Sequence, residues 1–107
     1  MLLALVANTR SGSSTDPDEI SRLLRRGGAA VEPLTMDDLT RPLPPGVDRL
    51  VVAGGDGSIA PAARAAHDAG TTLAVVPTGT ANDFAAARGL PTELDRACAR
   101  AADPDAS

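Results

Sequence analysis

At 107 residues the chain is one domain, long enough to bury about two-thirds of its unfolded surface. One Phe and no Trp or Tyr leave Ala, Leu, Val and Ile to build a thin core, and a formal charge of −4 argues against nucleic acid as a partner, which needs a basic face. The same balance argues against strong electrostatic attachment to anionic lipid, and a single cysteine, Cys98, excludes an internal disulfide framework and a cysteine-rich metal site.

Leu2-Leu3-Ala4-Leu5-Val6-Ala7 is a continuous apolar run, the pattern of a strand buried on both faces. It is too short for a signal core or a membrane span, so the expected compartment is the reducing cytoplasm. A loop of small hydroxyl residues with one guanidinium follows, Asn8-Thr9-Arg10-Ser11-Gly12-Ser13-Ser14. Asp16 as N-cap, Pro17 at the first position and Glu19 closing a capping box then announce a helix. Ile20, Leu23 and Leu24 form its apolar stripe, and Gly27-Gly28 ends it.

Ala29 to Leu34 reads as a short strand, and Glu32 and Pro33 push it to a sheet edge, where a missing donor is tolerated. Thr35 to Asp48 holds three prolines and a glycine with little periodicity: a connection, with one helical turn around Met36 to Leu39. Arg49 to Ala53 is the next apolar strand, and a helix is expected from about Ser58 to Asp68, with Pro61 in its first turn and Gly70 as its cap. Thr72 to Val76 is a fourth strand, stopped by Pro77. Thr78-Gly79-Thr80 is another hydroxyl-glycine loop, followed by a short helix over Ala81 to Arg88 and a last one opening at Pro91-Thr92. Leu94, Ala97, Cys98 and Ala101 share the apolar face of that last helix.

This alternation predicts an α/β fold, a three-layer sandwich around a doubly wound, mostly parallel sheet of about four strands. Right-handed crossovers would set the first and third strands side by side with the second outside. Ligands bind at the carboxyl ends of strands flanking such a switch point. The three polar, glycine-containing loops at 8–14, 54–58 and 78–80 are expected to converge there.

The middle loop carries the sharpest signal: Val51-Val52-Ala53 stops at Gly54-Gly55-Asp56-Gly57-Ser58, and an Ala-rich helix follows. Glycines let a ligand approach bare backbone, and a helix start offers unsatisfied N–H groups and the positive end of its dipole. Strand, glycine turn and helix start make a phosphate site. Asp56 would repel phosphate unless it holds Mg²⁺ or takes a proton from an attacking hydroxyl. The alternative is a tight structural turn in which Asp56 is only a cap.

Pro77-Thr78-Gly79-Thr80-Ala81-Asn82-Asp83-Phe84-Ala85 makes the pattern more specific. Together with Gly54-Gly55-Asp56-Gly57-Ser58 it resembles the catalytic domain of the diacylglycerol kinase family, related in fold to sphingosine kinases and, more distantly, to NAD kinases. Asn8-Thr9-Arg10-Ser11-Gly12 is similar to that family's first motif, Asn-Pro-x-Ser-Gly, with Thr9 in place of proline. The resemblance implies phosphoryl transfer from Mg·ATP to a diacylglycerol-like lipid hydroxyl, at the membrane surface as a peripheral protein. It implies that Asn8, Ser11 and Gly12 line the nucleotide site and that Arg10 reaches a phosphate. Gly54, Gly55 and Gly57 would bring amides against the phosphates, with Ser58 supplying a hydroxyl the family usually takes from threonine. Gly79 and Thr80 would face the phosphates as well. Asp56 would be the catalytic carboxylate, as base or through Mg²⁺, and Asp83 part of an acidic, Mg²⁺-linked network; Phe84 would pack.

Ala60-Pro61 stand where the family commonly has Asn-Glu, and the Thr35–Asp48 connection is short for the family. The resemblance also implies a second, β-rich domain carrying the lipid-acceptor site, which is absent from these 107 residues. The isolated chain is therefore expected to turn over weakly or not at all, and bare apolar surface to favour a homo-oligomer. Two rivals remain: a non-enzymatic nucleotide-binding or interaction module, and a kinase for a soluble acceptor such as NAD. His67 reads as a helix-end cation, Cys98 as a buried small hydrophobe, and Asp37-Asp38 as solvated. Arg22, Arg25 and Arg26 suit a helix C-terminus, and Arg64 is read as exposed.

Overall fold

The computed structural model describes residues 1–7, 17–53, 56–76 and 93–103, with backbone alone at 17, 56–58 and 93–95. Four strands, β1 (Leu2–Ala7), β2 (Ala30–Leu34), β3 (Arg49–Ala53) and β4 (Thr72–Val76), form one sheet in the order β2-β1-β3-β4. Every pairing is parallel. The two strands with unbroken apolar runs, β1 and β3, occupy the centre, and all five residues of β3 are buried. The strand with Glu32 and Pro33 is at an edge, as its composition requires.

Alternate residues of the central strands feed two separate cores. Leu3, Leu5, Val51 and Ala53 face α1 (Pro17–Arg26) and α3 (Glu93–Ala102), meeting Ile20, Leu24, Cys98 and Ala101. Ala4, Val6, Leu50 and Val52 face α2 (Asp56–Ala69), which offers Ala62, Ala65 and Ala66. Helices thus cover both faces, giving the three-layer sandwich. Met36, Leu39, Leu43 and Val47 pack against the α2 core. The proline-rich connection is therefore part of the core as well as a link, although nothing periodic in it announces this.

Glycine and polar groups set the helix ends. α2 stops at Gly70, whose φ of 65° only glycine adopts cheaply. Gly70 N–H donates to the His67 carbonyl at 3.1 Å and Thr71 N–H to that of Ala66 at 2.8 Å, the paired bonds of a Schellman cap. At Gly27 the reason is contact: a Cβ there would lie 2.7 Å from the Cβ of Ala102, where the ends of α1 and α3 touch. Thr35 and Asp38 form a capping box on the 3₁₀ helix Met36–Thr40. Thr35 N–H donates to Asp38 Oδ2 at 2.8 Å, and Asp38 N–H donates to Thr35 Oγ1 at 3.3 Å.

Arg49 was legible in the sequence only as the first residue of β3. It is 7% exposed, and its Nη1 donates to the carbonyls of Ala101 at 2.6 Å, Asp103 at 3.2 Å and Arg100 at 3.3 Å. The guanidinium satisfies carbonyls that the end of α3 leaves without intrahelical donors, and its charge complements the helix dipole. A buried cation is tolerable only with such partners.

One boundary differs from the sequence expectation in a way that matters. α2 begins at Asp56, not Ser58, so Pro61 is the sixth helical residue and lies inside the helix rather than in its first turn. Having no N–H, Pro61 cannot bond the Gly57 carbonyl, which loses its i+4 donor. The expected helix over Ala81 to Arg88 lies outside the described residues.

Three stability measurements follow. Gly27→Ala is expected to destabilise the fold by about 1–3 kcal/mol, because the Ala102 methyl has no rotamer to escape into; an unchanged urea midpoint contradicts the close approach. Pro61→Ala restores a donor to Gly57 and should stabilise by about 1–3 kcal/mol in the same assay. The Thr35 N–H first and then the Thr35 hydroxyl hold the Asp38 carboxyl below its ordinary range; desolvation opposes them, and the Arg41 charge adds a smaller lowering. A lowered folded-state value means stability present above about pH 4 and lost as pH falls through that value. The stability difference between wild type and Asp38→Asn should therefore shrink on acidification below about pH 4.

Candidate functional site

The register of the sheet gathers the ends of three strands. Ala7 pairs with Ala53, and Ala53 with Val76, so the last residues of β1, β3 and β4 form a single rung. Neighbouring strands are about 4.8 Å apart, so the three departing chains start within about 10 Å of one another. The segments that leave this rung are those beginning at residues 8, 54 and 77. β1 and β3 are also the strands between which the direction of winding reverses, the place where open α/β sheets bind ligands.

α2 starts three residues beyond Ala53, with Asp56, Gly57 and Ser58 in its first turn. Its free N–H groups and the positive end of its dipole lie at the carboxyl edge of the sheet. Asp56 is thus the first helical residue rather than part of a preceding turn, a position where a carboxylate is favoured by the dipole. Asn8, Arg10, Ser11, Gly12, Gly54, Gly55, Gly79, Thr80 and Asp83 lie outside the described residues.

The end of β2 reaches the same edge, since Leu34 pairs with Val6. The Thr35–Asp38 capping box follows it directly, so a carboxylate held ionised by its hydrogen bonds flanks the rung on the β2 side. Beside it, a groove of about 570 Å³ runs between the 3₁₀ helix and α2. Met36, Leu39, Ala60 and Pro61 give it apolar walls, and Arg64 and Asp68 add charge. It begins about one helical turn, roughly 6 Å, from the start of α2. Sequence reasoning misses this groove; its signal is the Met36 to Leu39 spacing, which by itself indicates only a helical turn.

Residues set aside from the sequence keep their structural roles. Cys98 is buried between α1, α3 and the sheet, and His67 is exposed in the last turn of α2. Arg22 pairs with Glu19 at 3.6 Å on the exposed face of α1. Arg64 is exposed, as expected, but it also lines the groove. Among the described residues no three His, Cys, Asp or Glu side chains gather to hold a metal. Nor is any described helix long and apolar enough to cross a membrane.

Comparison with known proteins agrees with this architecture. The family model of the diacylglycerol kinase catalytic domain matches residues 3–107. The chain is 52% identical over 60 residues to a "Probable lipid kinase YegS-like" protein of Stenotrophomonas maltophilia, covering 50% of this chain and 19% of the relative. It is 36% identical to a protein of the same name from Xanthomonas campestris pv. campestris, covering 94% of this chain and 38% of the relative. Among solved structures, a diacylglycerol kinase from Bacillus anthracis str. Sterne superposes with a TM-score of 0.55 at 20% identity, over 92% of this chain and 40% of that one, which shows a shared fold. The chain therefore spans well under half the length of these relatives. With the match running through almost every residue, the chain belongs to the diacylglycerol kinase catalytic-domain family.

Proposed function

We propose that this chain is the nucleotide-binding part of a lipid kinase that moves the γ-phosphoryl group of Mg·ATP onto a hydroxyl of a diacylglycerol-like lipid. The observation that carries the reading is the single rung formed by Ala7, Ala53 and Val76. It starts three motif-bearing segments at one edge, beside the N-terminus of α2. Phosphoryl transfer asks a protein chiefly for positioning and charge neutralisation, and fixed backbone amides supply both with little reorganisation.

In this reading the amides of Gly54, Gly55 and Gly57 hold the phosphates, with the Ser58 and Thr80 hydroxyls and Arg10 adding contacts. Asn8, Ser11, Gly12 and Gly79 line the same cleft. The groove between Met36, Leu39 and Pro61 is the apolar seat for the nucleotide's base, one helical turn from the phosphate end. Asp56 orients the acceptor hydroxyl and accepts its proton as the oxygen attacks the γ-phosphorus and ADP departs.

In this reading Mg²⁺ comes with the nucleotide. That ion keeps several waters and takes one or two carboxylates together with phosphate oxygens, so it needs no cage of three side chains. Asp56, at the start of α2, and Asp83 would be those carboxylates. When bound, the ion neutralises charge on the phosphate oxygens.

The acceptor pocket, by this proposal, lies in a β-rich domain beyond these residues, and turnover by the chain alone is weak or nil. A second reading, nucleotide binding without catalysis, is favoured by one observation: Ala60 and Pro61 are exposed where a polar pair would otherwise extend the site.

One pair of assays on the intact protein separates the two. Asp56→Asn is expected to weaken Mg·ATP binding by removing one of the two carboxylates for the ion, and to lower the lipid phosphorylation rate at saturating Mg·ATP by about 10²–10⁴. Equal rates in wild type and variant remove Asp56 from the chemistry, and binding with no turnover in either favours the second reading.

A further inference from the structure

The two edges of the sheet are built differently. β2 exposes Glu32 and Pro33, a charge and a residue without an N–H, which discourage pairing with another strand. β4 reads Thr72-Leu73-Ala74-Val75-Val76, with no charge and no proline. Among the described residues its only strand neighbour is β3, and Val75 is 43% exposed, the one exposed large hydrophobic side chain among them. Register places Leu73 and Val75 beside Leu50 and Val52, on the α2 face of the sheet. Ala74 and Val76 lie on the α3 face.

A groove of about 460 Å³ follows this edge, which no other described strand pairs, and is walled on one side by α3. Arg96 and Arg100 line it, both exposed, and neither has an ion-pair partner among the described side chains. They are one turn apart, about 6 Å along the helix. Alternate residues on one face of a strand are about 6.7 Å apart. Two acids at alternate positions of an added strand would therefore meet the two arginines in step.

We propose that the β4 edge and the α3 wall form a docking site for an extended acidic strand of another polypeptide. That strand hydrogen-bonds to the outer row of β4, the addition mode by which sheet edges take peptides. Its acidic side chains face Arg96 and Arg100, and the apolar residues between them cover Leu73 and Val75. A second copy of the chain is the poorer occupant. Pairing two β4 edges about a two-fold axis sets α3 beside α3, arginine against arginine, and β2 offers a single acid followed by Pro33. The inference stands on the β4 edge and the two arginines of α3, and does not depend on the kinase reading.

Two nine-residue peptides alternating valine with glutamate or with lysine test it, titrated into the protein by fluorescence anisotropy. The glutamate peptide should bind about tenfold more tightly than the lysine peptide, and Arg96→Glu with Arg100→Glu should reverse that preference. Val75→Lys, at an exposed position, should weaken the glutamate peptide by losing its apolar cover. Equal affinities, or a preference indifferent to the arginine pair, would overturn the proposal. Self-association that Val75→Lys abolishes would also overturn it, making a second copy the occupant.

Discussion

Parallel pairing of β1 with β3 is the constraint on which the rest of the molecule depends. It places two strands that are not consecutive in the chain side by side and so creates the point where winding reverses. Because the backbone ladder fixes register, it also brings Ala7, Ala53 and Val76 to one rung. A slip of one residue would turn every side chain of β3 to the opposite core. Two well-separated apolar cores, with small alanines facing larger aliphatic residues, hold that register in place.

The two ends of the sheet divide the work. At the amino ends of the strands lie fastenings: Arg49 caps α3, and Asp48 accepts from Leu2 N–H at 2.7 Å while its own N–H donates to the Leu2 carbonyl at 2.8 Å. Gly27 against Ala102 closes the same end. At the carboxyl ends the chain departs into the motif-bearing segments, and α2 presents its N-terminus.

The strands were legible because buried parallel strands read as unbroken apolar runs, as Leu2–Ala7 and Leu50–Ala53 do. The edge position of β2 was legible from Pro33, and the order β2-β1-β3 followed from the handedness of crossovers. What stayed hidden depends on tertiary context. The core role of Met36 and Leu43 has no local period, and the burial of Arg49 answers to carbonyls about fifty residues away in the chain. The early start of α2 escaped because glycine disfavours a helix locally, while the dipole favours Asp56 at its first position. Of the candidate site, the sequence supplied the motifs and the structure supplied the rung from which they start.

The central claim is that the segments leaving this rung close on one phosphate-bearing ligand. Backbone amide shifts recorded while Mg·ATP is titrated into the labelled protein test it most directly. Residues 8–14, 54–58 and 77–83 are expected to respond together, at one shared ligand concentration. Perturbation of only one of these segments, or a response centred elsewhere on the molecule, would contradict it.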